Sequence, residues 1–180
     1  MKRLLASICA LALLGSEAIA GPISGGFSTN ITVTPTVQNA AYSSGNAIGG
    51  LQTVNFFSTD QPTGILNNIS VASKGGSNTA MTLYIFTANP TSSTCTDKSA
   101  FSLAAADVAK LVASIPVVLT PAIVGVGTTA TFASQQLPIS VRNTESPFKN
   151  NFYVCAVVGG AGVTPASTTD LVFEYAGLQD

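Results

Sequence analysis

The chain has 180 residues, seven basic and eight acidic side chains for a formal net charge of −1, no histidine, and only 8% charged residues against 46% hydrophobic. That length suits one domain with room for a core. Too few Lys and Arg are present, and they are too scattered, for nucleic acid, whose binders cluster cations to displace counterions from phosphates.

The first twenty residues read as a cleaved export signal. Lys2 and Arg3 form a positive start, Leu4 to Leu14 (LLASICALALL) is an apolar run, and AIA ends at Ala20 with small residues where signal peptidase reads. The run is shorter than the roughly 20 residues that span a bilayer. Cleavage between Ala20 and Gly21 is expected, leaving 21–180 as a single domain. Cys9 lies within the apolar run, whereas a lipoprotein cysteine follows it. Without Lys2, Arg3 and Glu17, five basic and seven acidic residues remain, and Lys74, Lys98, Lys110, Arg142 and Lys149 stand singly. No polybasic membrane patch exists. A surface of neutral hydroxyls and amides resists neighbours less than a charged one. It suits an extracellular protein that packs against copies of itself or a larger assembly, or a plain secreted β-domain.

From Thr29 onward short β-rich runs alternate with Gly, Pro, Asn and Ser. TNITVTPTV places Ile31 and Val33 on one face. LQTVNFFS (51–58) follows, then GILNNISVAS (64–73), where Ile65, Ile69 and Val71 share a face and Asn67 breaks the pattern. In AMTLYIFT (80–87), Met81, Leu83 and Ile85 share one face, Tyr84 and Phe86 the other. A strand apolar on both faces lies inside a sandwich or under a partner. The pairs Gly49-Gly50, Gly75-Gly76 and Gly159-Gly160 mark turns or bulges. SLAAADVAKLVAS (102–114) carries Ala104, Val108, Leu111, Val112 and Ile115 at helical spacing, with Ser102 as N-cap and Pro116 as stop. A short α-helix is expected there, across one end of the sandwich. Leu111 to Gly127 is interrupted by Pro116 and Pro121 and is too short to cross a membrane. IPVVL, TTATFAS, LPISV, NFYVCAVV and DLVFEY complete about nine strands, and the expected class is all-β: an antiparallel β-sandwich of jelly-roll type.

Cys95 and Cys155 are the two cysteines of the mature chain. An even count in an exported protein predicts a disulfide. It closes a loop of about 60 residues, a stabilisation of about 4 kcal/mol in the chain-entropy model. Two thiols without histidine or a Cys-x-x-Cys pair do not make a zinc site, and no imidazole exists to activate a nucleophile. The same absence removes a Ser-His-Asp triad. GVGTTA (125–130) matches a loose dinucleotide pattern, but the strand-favouring Thr128, Thr129, Thr131 and Phe132 follow it, so a glycine-rich hairpin is the better reading. Asp60, Asp97, Asp107, Glu145, Asp170 and Glu174 are the carboxylates available to a glycosidase, and nothing in the sequence pairs them. No catalytic residue, metal ligand or cofactor site is assigned.

Three segments carry a resemblance: YSSGNAIGGL (42–51), GILNNISVASKGG (64–76) and MTLYIFTANPTSSTCTDKSAFSLAAADVAKLV (81–112). In order and spacing they resemble a family of small tailed-phage and prophage virion structural proteins, with a weaker echo at the closing LQD. The resemblance implies a β-sandwich used as a particle component at a head or tail surface. This chain departs from it in its export leader and its cysteine pair. A fold shared with phage structural proteins but exported by a bacterium reconciles the two; phage coding with an atypical leader is the other reading.

The expected function is therefore non-enzymatic and structural, extending to self-assembly, with copies of the chain or a larger surface or virion assembly as partner. The expected location is the periplasm, the extracellular space or the cell surface, or the virion if the chain is phage-encoded. The alternative is a secreted ligand- or glycan-binding module, with Tyr42, Asn46 and Tyr175 as binding residues by type.

Overall fold

The structure is a computed structural model and describes residues 27–57, 62–121, 130–147, 149–160 and 162–179. The export signal with Ala20 and Gly21, Asp60, and residues 125–129 of the glycine-rich segment lie outside the described residues.

The strands are β1 (Phe27–Val33), β2 (Ala47–Val54), β3 (Thr63–Ser73), β4 (Ala80–Phe86), β5 (Leu111–Val118), the short β6 (Thr120–Pro121), β7 (Thr131–Arg142), β8 (Phe152–Gly159) and β9 (Leu171–Gln179). They form two antiparallel sheets, a five-stranded one in the order β1-β9-β3-β7-β6 and a four-stranded one in the order β2-β8-β4-β5. One core lies between the sheets. Leu66, Ile69 and Val71 of β3 and Phe173 and Tyr175 of β9 meet Met81, Leu83 and Ile85 of β4 and Val154, Ala156 and Val158 of β8. Apart from the step from Leu66 to Ile69, these are alternate positions, whose side chains share one face of a pleated strand. A polar tie crosses the core, where the Tyr175 hydroxyl donates to Gln52 Oε1 at 2.9 Å.

Several sequence irregularities become structure. Asn67, which breaks the alternation of β3, sits where the register with both β7 and β9 shifts. The extra residue puts Leu66, and not the expected Ile65, on the core face with Ile69 and Val71, and leaves Ile65 exposed on the outer face. Gly49 and Gly50 have positive φ (75° and 66°), and there β2 slips register against β8. A side chain at Gly49 would also strike Pro35, 2.7 Å from an added Cβ.

The α-helix expected near 102–114 does not form. A 3-10 helix covers only Ala105–Lys110, its N-cap is Ala104 without a side-chain cap, and Leu111–Val118 is strand β5. The helical spacing of Ala104, Val108, Leu111, Val112 and Ile115 competes with a period-two reading of Leu111, Ala113, Ile115 and Val117. The second reading wins because antiparallel pairing with β4 sets Leu83 opposite Ile115 and Met81 opposite Val117, and both of these β5 residues are buried. Val108 and Val112 are left 52% and 40% exposed, against the helical stripe. TFAS, the end of the run TTATFAS, and LPISV, read as two runs, belong to one strand, β7.

Candidate interaction surface

The outer faces of the two sheets differ. On the four-stranded sheet the segment between β4 and β5 folds back and covers β8, which is buried on both sides. Cys95 in that segment is disulfide-bonded to Cys155 of β8, with Cα atoms 6.0 Å apart. Phe101 stacks on Tyr84 at a ring separation of 4.5 Å. Ala47, Phe86, Tyr153, Cys155 and Val157 form a second buried cluster there, with Leu51, Leu103 and Leu111 packed against it. The two-faced strand β4 thus lies under the chain's own loop. The disulfide agrees with an oxidising environment for the folded chain. Among the described residues no helix is long and apolar enough to cross a membrane.

Two carboxylates anchor this cover, and their sequence context did not reveal them. Asp97 accepts from the Tyr42 hydroxyl at 2.9 and 3.0 Å and from the Gly49 N–H at 2.6 Å. The same hydroxyl accepts the Gln38 N–H at 2.7 Å. Burial, with help from the adjacent carboxylate, pushes the Tyr42 phenol up to about 12. Asp107 is fully buried and accepts from the Ser92 N–H, the Ser93 hydroxyl and Lys110 Nζ at 2.8, 2.8 and 2.7 Å. Burial acts to raise its pKa, but these donors outweigh it and hold the carboxyl below its ordinary value.

The outer face of the other sheet has no such cover among the described residues. Pairing between strands arranges its outward side chains in rows. One row is Val172, Ala72, Phe132 and Thr120; the next is Thr32, Glu174, Ser70 and Ser134. Then come Asn30, Ala176, Asn68 and Gln136, and finally Ser28, Leu178, Ile65 and Ser140. Glu174 is the one charged side chain in these four rows, and the row beyond them, Thr63 and Arg142, adds one cation at the end of β7. The amides and hydroxyls partly bond one another, as when Ser134 Oγ donates to Asn68 Oδ1 at 2.7 Å. Phe132, Ile65 and Leu178 are exposed. A shallow depression of about 70 Å3 lies between Ser70, Ala72, Phe132, Val172 and Glu174.

A polar cleft of about 390 Å3 lies at one end of the molecule, lined by residues that include Asn89, Lys110, Thr144, Glu145 and Lys149. Glu145 accepts from the Asn89 N–H at 3.0 Å and from the Tyr153 hydroxyl at 3.1 Å, and pairs with Lys149 at 3.0 Å. Partial burial works to raise its pKa, and the three donors prevail and lower it; the same bond raises that of Lys149. The residues chosen by type for ligand binding lie elsewhere. Tyr42 and Tyr175 are buried, so neither is an aromatic platform, and Asn46 accepts the Ser43 N–H in a turn. Asp170 is buried and accepts from Ser73, Gly75 and Ala166, which clamps the β3–β4 turn to the start of β9. Among the described residues no group of three or more His, Cys, Asp and Glu side chains is placed to hold a metal ion. The chain matches no protein-family model and no curated protein sequence.

Proposed function

We propose that the protein is a non-enzymatic structural component: an exported jelly-roll domain that packs against copies of itself or onto a larger surface assembly. The observation that carries this reading is the open, nearly uncharged outer face of β1-β9-β3-β7, four strands wide. Charge is the usual means of keeping a surface solitary, and here one carboxylate, Glu174, and one cation at the end of β7, Arg142, stand among amides, hydroxyls and apolar groups. The strand orders β1-β9-β3-β7 and β2-β8-β4-β5 support the jelly-roll assignment, an architecture common to capsid and lectin domains. The resemblance to tailed-phage virion proteins points the same way. The cysteine bridge favours export before assembly. Size-exclusion chromatography with light scattering on the mature protein tests the reading. Concentration-dependent association is expected; a strict monomer that is also inert toward particles and cell surfaces overturns it.

A second reading, a secreted ligand-binding module, is favoured by the polar cleft beside Lys110, Glu145 and Lys149. Binding on a glycan array, lost on substitution of Glu145 or Lys149, would support it. A blank array removes it.

A further inference from the structure

The sheets end in four edge strands, β1 and β7 with β6 in one sheet and β2 and β5 in the other. An edge offers unpaired N–H and C=O groups to any other strand, and folded proteins blunt it with proline, charge, a bulge or a cover. Three edges here carry such devices. β5 has Pro116 and β7 has Pro138, neither able to donate a ladder bond, and β6 covers the first residues of β7. β2 is bent by its register shift at Gly49 and Gly50.

β1 (FSTNITV) has none of them. It contains no charge, no proline and no glycine, and its register with β9 runs unbroken from Phe27 to Val33. Among the described residues β9 is its only paired neighbour, and no residue of β1 is buried. Phe27 is 76% exposed at the strand's start.

We propose that the free edge of β1 is where a second copy of this chain adds, β1 to β1 and antiparallel, about a two-fold axis at Asn30. The proposal rests on the self-association reading above and names the surface. The register follows from the pleat, because residues facing the core side must pair with residues facing the same side. Of the registers that do so, the one centred on Asn30 pairs every residue of the strand. It sets Phe27 opposite Val33, Ser28 opposite Thr32, Thr29 opposite Ile31, and Asn30 opposite itself. These are aromatic–β-branched, hydroxyl–hydroxyl and amide–amide pairs with no like charges opposed. The contact is isologous and closed, so the product is a dimer whose two five-stranded sheets run on as one.

Position 30 supplies the test, because each copy meets its own residue there while Asn30 lies opposite small Ala176 on β9. Asn30→Lys and Asn30→Glu each place like charges face to face, and an equimolar mixture places opposite ones there. Light scattering and sedimentation on the mature chain should show each variant alone with its dimer dissociation constant raised roughly tenfold or more and the mixture with dimer restored. Circular dichroism of both variants should match the wild type, as should their thermal melting at concentrations low enough for the wild type to be monomeric. A wild-type protein that associates while both variants associate equally well overturns the β1 edge and leaves the broader reading standing. A wild type that stays monomeric overturns the β1 edge and the self-association half of the broader reading, whose other half, packing onto a larger assembly, falls only if that monomer is also inert toward particles and cell surfaces.

Discussion

Tyr42 and Asp97, 55 residues apart in sequence, are joined by a phenol hydroxyl 2.9 and 3.0 Å from the two carboxylate oxygens. The bond fastens the segment before β2 to the loop that covers β8, and Asp97 also holds the N–H of Gly49 at the β2 bulge. Removing the hydroxyl leaves a half-buried carboxylate short of a donor. Tyr42→Phe should cost about 1–3 kcal/mol in urea unfolding at neutral pH. The folded phenol titrates near 12 against an ordinary 10.0. A raised folded pKa gives stability that is complete below the ordinary value and is lost as pH rises through the folded one. The wild-type advantage over Tyr42→Phe should therefore shrink across that alkaline window. An advantage that does not vary with pH would show that the phenol's ionisation is not linked to folding.

The Cys95–Cys155 bridge should contribute about 4 kcal/mol, since it removes the freedom of a loop of about 60 residues from the unfolded chain. Its loss also loosens the cover over Phe86, Tyr153 and Val157. Cys95→Ser with Cys155→Ser should lower the unfolding midpoint and increase binding of a hydrophobic dye, while the core between the sheets persists. Intact mass with alkylation, before and after reduction, counts the thiols. Two free thiols in the untreated protein would remove the bridge.

The sheet framework was legible because its signals are local. Alternation located β1 and β4, short apolar runs between turn residues located β8 and β9, and in β3 the break at Asn67 coincides with a bulge that moves Ile65 off the expected face. The apolar Tyr84 and Phe86 on the second face of β4 announced a cover, and that cover is the chain's own loop. The segment after Ser102 misled because its apolar residues satisfy both periods, and only pairing with β4 decides between them. Asp97 and Asp107 as anchors, and the burial of Tyr42 and Tyr175, were not readable. Each depends on partners distant in sequence, and residue type does not report which side of the sheet faces water. The uncovered face became visible only once register had aligned its residues into rows.

Asp107 and Glu145 predict an acid limb. Both carboxyls are held below their ordinary values of 3.8 and 4.5 by the donors around them. A depressed folded pKa stabilises fully above the ordinary value and is lost as pH falls through the folded one. Stability should be level near neutrality and decline as pH drops below those ordinary values. Asp107→Asn should cost about 1–3 kcal/mol at neutral pH, because it weakens the bonds from Ser92, Ser93 and Lys110. It should also flatten the acid decline. Chemical denaturation across an acid pH series measures both, and an unchanged slope in the variant would assign the decline to other carboxyls.

Gly177 of β9 tests how closely β3 and β9 approach. It lies opposite Leu66, beside the β3 bulge. A Cβ added there would press on the backbone carbonyl of Ile65 and come within 2.8 Å of Phe56 Cζ. The carbonyl belongs to a paired strand, and the Phe56 ring is fully buried against Phe57 and Phe152, so neither has room to yield. Gly177→Ala should therefore destabilise by about 1–3 kcal/mol, as overpacking does, although alanine ordinarily stabilises a strand relative to glycine. Gly160 is the control. It has positive φ, and an added Cβ would meet nothing within 4 Å, so Gly160→Ala carries backbone strain without a clash. Thermal melts of the two variants separate the effects, since only the first should also weaken the near-UV signal of the Phe56, Phe152 and Tyr175 ring cluster. Equal losses in melting temperature with that signal intact in both would show that β3 and β9 can part at Gly177 without disturbing the core.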